Sequence, residues 1–250
     1  MLGIVGTVPD ADLGLLHGPA RLEGGRVTVA GRELEVQRGT PALLAAALQV
    51  AAHLGRPEIH AYLAGDTGRG DGSRHLYDWL CRHLPDCICS VLVFHYLQPD
   101  VDWHGRVLLA IEQMTRPPVL IADAGFMYAA KMSGQAGRYD CFTPDLGELA
   151  FLADEQAPHP FYTRGFILHE SNRADDLIER AYRHDNAAIH LLVKGATDAI
   201  VARGRVVDRV DAPSTPAMEA IGGTGDTLTG LLAALCAAGH DLVPAASLAA

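Results

Sequence analysis

The chain has 250 residues, of which 49% are hydrophobic and 20% charged, and a formal net charge of -10. That length and apolar content supply one large core with at most a small lid. The acidic balance argues against nucleic-acid or anionic-membrane partners, so an anionic ligand must be held by local groups against the overall field.

The first stretch, MLGIVGTVPDAD, has no basic segment ahead of its apolar run and does not read as a secretory signal. Further along, Gly, Pro and charge break every apolar run well short of a membrane span. The cysteines Cys81, Cys87, Cys89, Cys141 and Cys236 contain no CxxC pair, which predicts free thiols in a reducing cytoplasm.

Leu2 to Val8 reads as a first strand, and Asp10 and Asp12 follow where it should end. Ligands of an α/β sheet sit at the carboxyl ends of strands, so either aspartate could hold a substrate hydroxyl, and either could be a solvated turn residue. Arg26 to Ala30 and Arg32 to Val36 alternate around Gly31 as a hairpin. Thr40-Pro41 then opens a helix with Thr as N-cap and Pro at N1, and Gly55 ends it. Glu58 to Ala64 reads as a strand. Gly65-Asp66-Thr67-Gly68-Arg69-Gly70-Asp71-Gly72-Ser73 follows it, with more glycines than one turn needs. Gly65 and Asp66 are therefore candidate substrate contacts. The next helix spans about Leu76 to Leu84.

Ser90 to Phe94 is a strand, Arg106 to Met114 a helix, and Pro118 to Ala122 a strand that runs into Asp123-Ala124-Gly125. After a short strand, Thr143-Pro144-Asp145-Leu146-Gly147-Glu148 opens a helix. Asp145 and Glu148 stand at N-cap and N3 spacing, a capping box, and the same carboxylates would suit water-held Mg²⁺. Asp154 to Gly165 reads as a loop, Arg173 to His184 as a charged surface helix, and Ala188 to Val193 as a buried strand running into Lys194-Gly195. Asp198 to Ala202 and Arg205 to Val210 form a second hairpin. The alternation of strands and helices predicts a mostly parallel sheet with helices on both faces.

Ile221-Gly222-Gly223-Thr224-Gly225-Asp226 runs straight into the apolar helix TLTGLLAALCAA, and another helix begins near Pro244. A helix start leaves N–H groups without partners at the positive end of the macrodipole, and glycines let a ligand approach the backbone, so this is a candidate phosphate site. A carboxylate there opposes an anion. It fits if Asp226 takes the proton of an attacking hydroxyl, and a helix-dipole role is the competing account.

In order and character these motifs resemble the ribokinase superfamily of carbohydrate kinases over nearly the whole chain. AIGGTGDTLTGLL is similar to its anion-hole and catalytic-base signature, AGDTGRGDGSRHLYDWL to its N-terminal glycine motif, and TPDLGE to its metal-supporting glutamate motif. The rear half, with LVKGATDAIVARGRVV, also resembles the ATP- or ADP-dependent NAD(P)H-hydrate dehydratases, although a GPGLG-type stretch is missing after Ser90. The resemblance implies a three-layer α/β/α sandwich over residues 1–250 whose 26–36 hairpin is a lid or an oligomer contact. It implies ATP, or ADP, with Mg²⁺, and phosphoryl transfer to the hydroxyl of a small molecule. Asp226 would be the base, with Gly222, Gly223, Thr224 and Gly225 around the transferring phosphoryl. Lys194 and Gly195 would face the nucleotide phosphates, Glu148 and Asp145 the metal, and Asp10, Asp12, Gly65, Asp66 and Asp123 the acceptor. A non-catalytic nucleotide-binding protein is the other reading. Asp226 weighs against it, since binding alone gains nothing from that charge.

Overall fold

The computed structural model describes residues 1–156 and 174–250. Most of the stretch read as a loop from Asp154 to Gly165 lies outside the described residues.

A single 11-stranded sheet organises the chain. Six of its strands are mutually parallel: β1 (Leu2–Val8), β5 (Ile59–Gly65), β6 (Val91–His95), β7 (Val119–Ala122), β8 (Cys141–Phe142) and β9 (His190–Val193). Antiparallel strands extend it at both ends. At one end are β2 (Leu15–Glu23), β3 (Arg26–Val29) and β4 (Arg32–Glu35), and at the other β10 (Asp198–Ala202) and β11 (Arg205–Val210). Across the sheet the order is β11-β10-β9-β8-β7-β6-β1-β5-β2-β3-β4.

Both faces are covered, so the parallel strands are near-continuous apolar runs whose alternate residues enter different cores. Leu2, Ile4, Ile59, Leu63, Val91, Val93, Ile121 and Leu192 pack under α1 (Thr40–Leu54), α7 (Thr224–Ala238) and α8 (Leu242–Ala249). Val5, Tyr62, Leu92, Phe94, Ala122, Phe142 and Val193 pack under α2 (Asp71–His83), α3 (Val101–Glu112), α4 (Gly125–Met132), α5 (Leu146–Ala153) and α6 (Ala174–Arg183). The result is the three-layer arrangement that the alternation of elements predicts.

Several expectations are corrected. Gly39, not Thr40, is the N-cap of α1, and no side chain caps that end, because the Thr40 hydroxyl turns inward to the Thr7 carbonyl. β2 and α4 fall in stretches that carry no clear pattern in the sequence. Helix α2 starts at Asp71 behind Gly70, and α3 at Val101 behind Asp100, whose carboxylate accepts from the N–H groups of Asp102 and Trp103. The hairpin of β3 and β4 is built into the sheet edge, with Val27, Val29 and Leu34 buried in the same core as α1. By contrast Gly55 and Gly239 end α1 and α7 in the left-handed conformation, as helix-stop glycines do.

Candidate active site

Strand periodicity assembles the polar centre. Phe94, Ala122, Phe142 and Val193, the last residues or nearly the last of β6 to β9, face the α2–α6 side. The residue after each must face the other way, towards α7. Those residues are His95, Asp123, Thr143 and Lys194. All lie at the carboxyl edge of the sheet, where α/β folds place their ligands. The backbone turns sharply there: Tyr96 and Ala124, directly after His95 and Asp123, have φ of 52° and 50°. Non-glycine residues in that region carry strain that the surrounding fold must hold.

Helix α7 lies over this edge. Gly223 is its N-cap, with φ 105°, and no side chain caps it, so its first-turn N–H groups stay available to an anion. Arg38 packs against this turn: a Cβ on Gly222 would meet the Arg38 Cδ at 3.4 Å, and one on Gly223 would meet the Gln37 carbonyl at 3.0 Å. At Gly223 both the backbone conformation and the close approach favour glycine. A Cβ on Gly225 would stand 3.3 Å from the Lys194 Nζ, which fixes the ammonium against the first turn of the helix.

Lys194 is held on Asp123, with Nζ 3.1 and 3.2 Å from its two carboxylate oxygens. Burial alone would lower the Lys194 pKa, but Asp123 and Glu148 outweigh it and hold the group firmly protonated. Asp123 is 1% exposed. Its carboxylate also accepts from the Thr229 hydroxyl at 2.6 Å and from the Ala124 N–H at 2.8 Å. Asp123 therefore organises the centre and has little left to offer a substrate.

Asp226 sits in the first turn of α7, 9% exposed. One oxygen accepts from the Gly39 N–H at 2.6 Å, and the other lies 2.9 Å from His95 Nε2. Burial pushes its pKa up, but the hydrogen bond and charge of His95, the Gly39 N–H and Lys194 outweigh that, leaving the carboxyl below its ordinary value. Tyr96 borders the group, its hydroxyl pushed up to about 12 by burial and by the charges of Asp226, Asp123 and Glu148. His95, Asp123 and Asp226 bring their ligand-type atoms within 4.8 Å of one another. A divalent cation among them would have to displace Lys194 and the proton between His95 and Asp226, so this donor set fits protons better than metal.

Asp145 and Glu148 form the capping box expected of them: the Asp145 carboxylate accepts from the Glu148 N–H at 2.7 Å, and Glu148 accepts from the Asp145 N–H at 2.9 Å. Glu148 also accepts from the Tyr128 hydroxyl at 3.1 Å. Burial, with Asp123 and Asp145 nearby, pushes Glu148 up to about 8 despite Lys194. Once Glu148 gives up that proton, three carboxylates stand against one ammonium, an excess of negative charge that suits a hydrated Mg²⁺.

The other sequence candidates sit at the same edge in different capacities. The Asp66 carboxylate accepts from the N–H groups of Gly68, Gly70 and Ser73 and from the Ser73 hydroxyl, so it shapes its own loop. Those bonds outweigh burial and hold its pKa down. Gly65 is demanded by packing, since a Cβ there would lie 2.0 Å from the Asp10 carbonyl. Asp10 accepts from the Asp12 N–H at 2.9 Å and faces Arg32 at 3.8 Å, while Asp12 is exposed. The Gly195 N–H is taken by Asp198 at 2.8 Å. Sequence reasoning missed His95, Thr40, Thr229 and Arg38. The signal for His95 was its position, the first polar residue after an apolar strand.

Residues 98–250 match the Carb_kinase family, described as NAD(P)H-hydrate dehydratase. An uncharacterized protein of Methanocaldococcus jannaschii is 38% identical over 194 residues, spanning 77% of this chain and 79% of its own length. Among solved structures, Escherichia coli phosphofructokinase-2 in complex with fructose-6-phosphate aligns with a TM-score of 0.53 and 14% identity over 96% of this chain and 88% of that one. A mutant of the same enzyme reaches 0.56 at 12% identity over 99% and 90%. At such identities the likeness is one of fold.

Proposed function

The chain belongs to the Carb_kinase family, and on that premise we propose that it transfers the γ-phosphoryl group of ATP to a hydroxyl of a small molecule, with Asp226 as the general base. One observation carries this reading. A buried carboxylate held in its charged form stands in the first turn of a helix whose N-terminus is open to an anion.

Asp226 takes the proton of the acceptor hydroxyl, the oxygen forms its bond to the γ-phosphorus, and the bond to the β–γ bridging oxygen breaks as ADP leaves. N–H groups of Thr224 and Gly225 face the phosphoryl oxygens, and Lys194 and Arg38 supply positive charge on either side. Glu148 and Asp145 would hold Mg²⁺ through water; when bound, the ion neutralises charge on the phosphates. The chain's own contribution is position and fixed charge, and most of its polar groups are already locked by one another.

The family description favours a second reading built on the same first step. A hydroxyl on hydrated NAD(P)H, once phosphorylated, becomes a good leaving group; its loss as phosphate together with a proton from the adjacent ring carbon restores the double bond, so the two steps sum to a dehydration driven by ATP or ADP. The two readings separate when the protein is incubated with ATP or ADP and, in turn, sugars, vitamin alcohols and hydrated NADH. Phosphorylated sugar or vitamin supports the kinase; recovery of reduced-nicotinamide absorbance with consumption of nucleotide supports the dehydratase. Nucleotide consumption that no acceptor stimulates would sink both.

A further inference from the structure

His95 belongs to none of the motifs, yet each of its ring nitrogens is engaged inside the fold. The ring is fully buried at 0% exposure. Nδ1 lies 3.0 Å from Thr40 Oγ1, and Nε2 lies 2.9 Å from the Asp226 carboxylate. The Thr40 hydroxyl has one proton, and it is donated to the Thr7 carbonyl at 2.8 Å. Thr40 Oγ1 is then the acceptor for a proton on His95 Nδ1. Another proton lies between Nε2 and the carboxylate, because two bare lone pairs repel at that distance. The other Asp226 oxygen is pinned by the Gly39 N–H.

The packing leaves this chain no slack. A Cβ on Gly6 would come 2.6 Å from Thr40 Oγ1 and 2.7 Å from the His95 carbonyl. Glycine at that point of β1 is what lets α1 and the end of β6 approach closely enough for the contact.

Resting on the reading of Asp226 as the base, we propose that His95 is its positioning residue: a doubly protonated imidazole, anchored through Thr40 to the end of β1, that fixes the carboxylate's orientation and charge until the acceptor hydroxyl arrives. The other titratable and charged groups around Asp226 are Lys194 beyond β9, Asp123 beyond β7 and Tyr96 beyond β6, while Glu148 in α5 acts on Tyr96. Of these, Lys194 is already committed to Asp123. His95 alone among these side chains is hydrogen-bonded to Asp226.

Two measurements test the proposal. The first needs no turnover. Nuclear magnetic resonance of the ring nitrogens in isotope-labelled wild-type protein near neutral pH should show His95 with protons on both Nδ1 and Nε2. A ring with either nitrogen bare overturns the proposal. The second is the pH dependence of turnover. His95→Gln removes the charge and should move the acid limb to higher pH by about 1–3 units, the usual effect of losing a neighbouring opposite charge. Thr40→Val should move it the same way by less, with KM for the nucleotide unchanged in both. If Asp226→Asn retains turnover, the reading of Asp226 as base fails, whatever the ring protonation shows. If Asp226→Asn is inactive while the acid limb of His95→Gln stays with wild type, His95 only packs the site and the inference fails.

Discussion

On the proposed reading Asp226 and Lys194 each serve both the fold and the chemistry, and the substitutions that separate these roles differ. Asp226→Asn keeps size and removes basicity. As a base substitution it should cut turnover by about 10²–10⁴, with nucleotide affinity held or raised because an amide does not repel a phosphate. A carboxyl whose pKa is lowered by folding adds stability above its unfolded value and loses it as pH falls through the folded one. The wild type should therefore out-melt Asp226→Asn at neutral pH, with the gap closing below about pH 3.9. Lys194→Ala should weaken nucleotide binding by about 1.5–3 kcal/mol. The structure adds a cost: with Asp123 left buried and unpaired, folding should lose about 3–5 kcal/mol. Measuring both affinity and melting on that variant checks the two effects, and an unchanged melting temperature would deny the pair its structural role. Glu148 gives a third handle. Its carboxyl is pushed up to about 8, so a cation binding there must first displace a proton. The rise in melting temperature caused by Mg²⁺ should grow as pH increases through that value and vanish in Glu148→Gln.

At the level of elements, α1 and α7 cross closely on one face of the sheet, and Gly230 permits it. A Cβ there would lie 2.3 Å from the Leu43 carbonyl. Gly230→Ala must push the helices apart, at a cost of about 1–3 kcal/mol, and should lower turnover too, because α7 carries Asp226 and α1 starts at the Gly39 N–H that holds it. A melting temperature equal to wild type would show that the crossing relaxes without strain. The six parallel strands were legible because burial on both faces makes them apolar runs that break off at polar, Gly or Pro residues. β2 was not, since its mostly exposed residues include Gly18 and Pro19 and its place is set by pairing with β5. α4 was hidden by its length and by a start within Asp123-Ala124-Gly125. The glycine turn and the capping box were legible because both are local. His95, Thr40 and Thr229 were not, since they meet Asp226 and Asp123 only when distant strand ends and helices converge.

Considered whole, the molecule grows its sheet outward from a parallel centre and finishes each end with antiparallel strands. The hairpin of β3 and β4 is the last piece at one end, and Val27, Val29 and Leu34 tie it to the core beneath α1. Replacing residues 24–36 with a short Gly-Ser loop removes three buried side chains, each worth about 1.5–3 kcal/mol. Against a total stability of about 5–15 kcal/mol, that should lower the melting temperature sharply or abolish cooperative unfolding. A removable lid would leave the transition where it was. Among the described residues no helix is long and apolar enough to cross a membrane.

The two positive-φ residues behind His95 and Asp123 bear on how this chain could be engineered. Tyr96→Gly and Ala124→Gly would each release about 1–3 kcal/mol of backbone strain, offset in part by the freedom glycine adds to the unfolded chain. Each would also loosen the bend that aims a neighbouring side chain at α7. A screen that ranks variants by heat tolerance alone would tend to keep such changes, and one that also scores turnover would discard them. Positions 96 and 124 are therefore ones to hold fixed in any stabilisation campaign, even where a calculation of local strain recommends changing them.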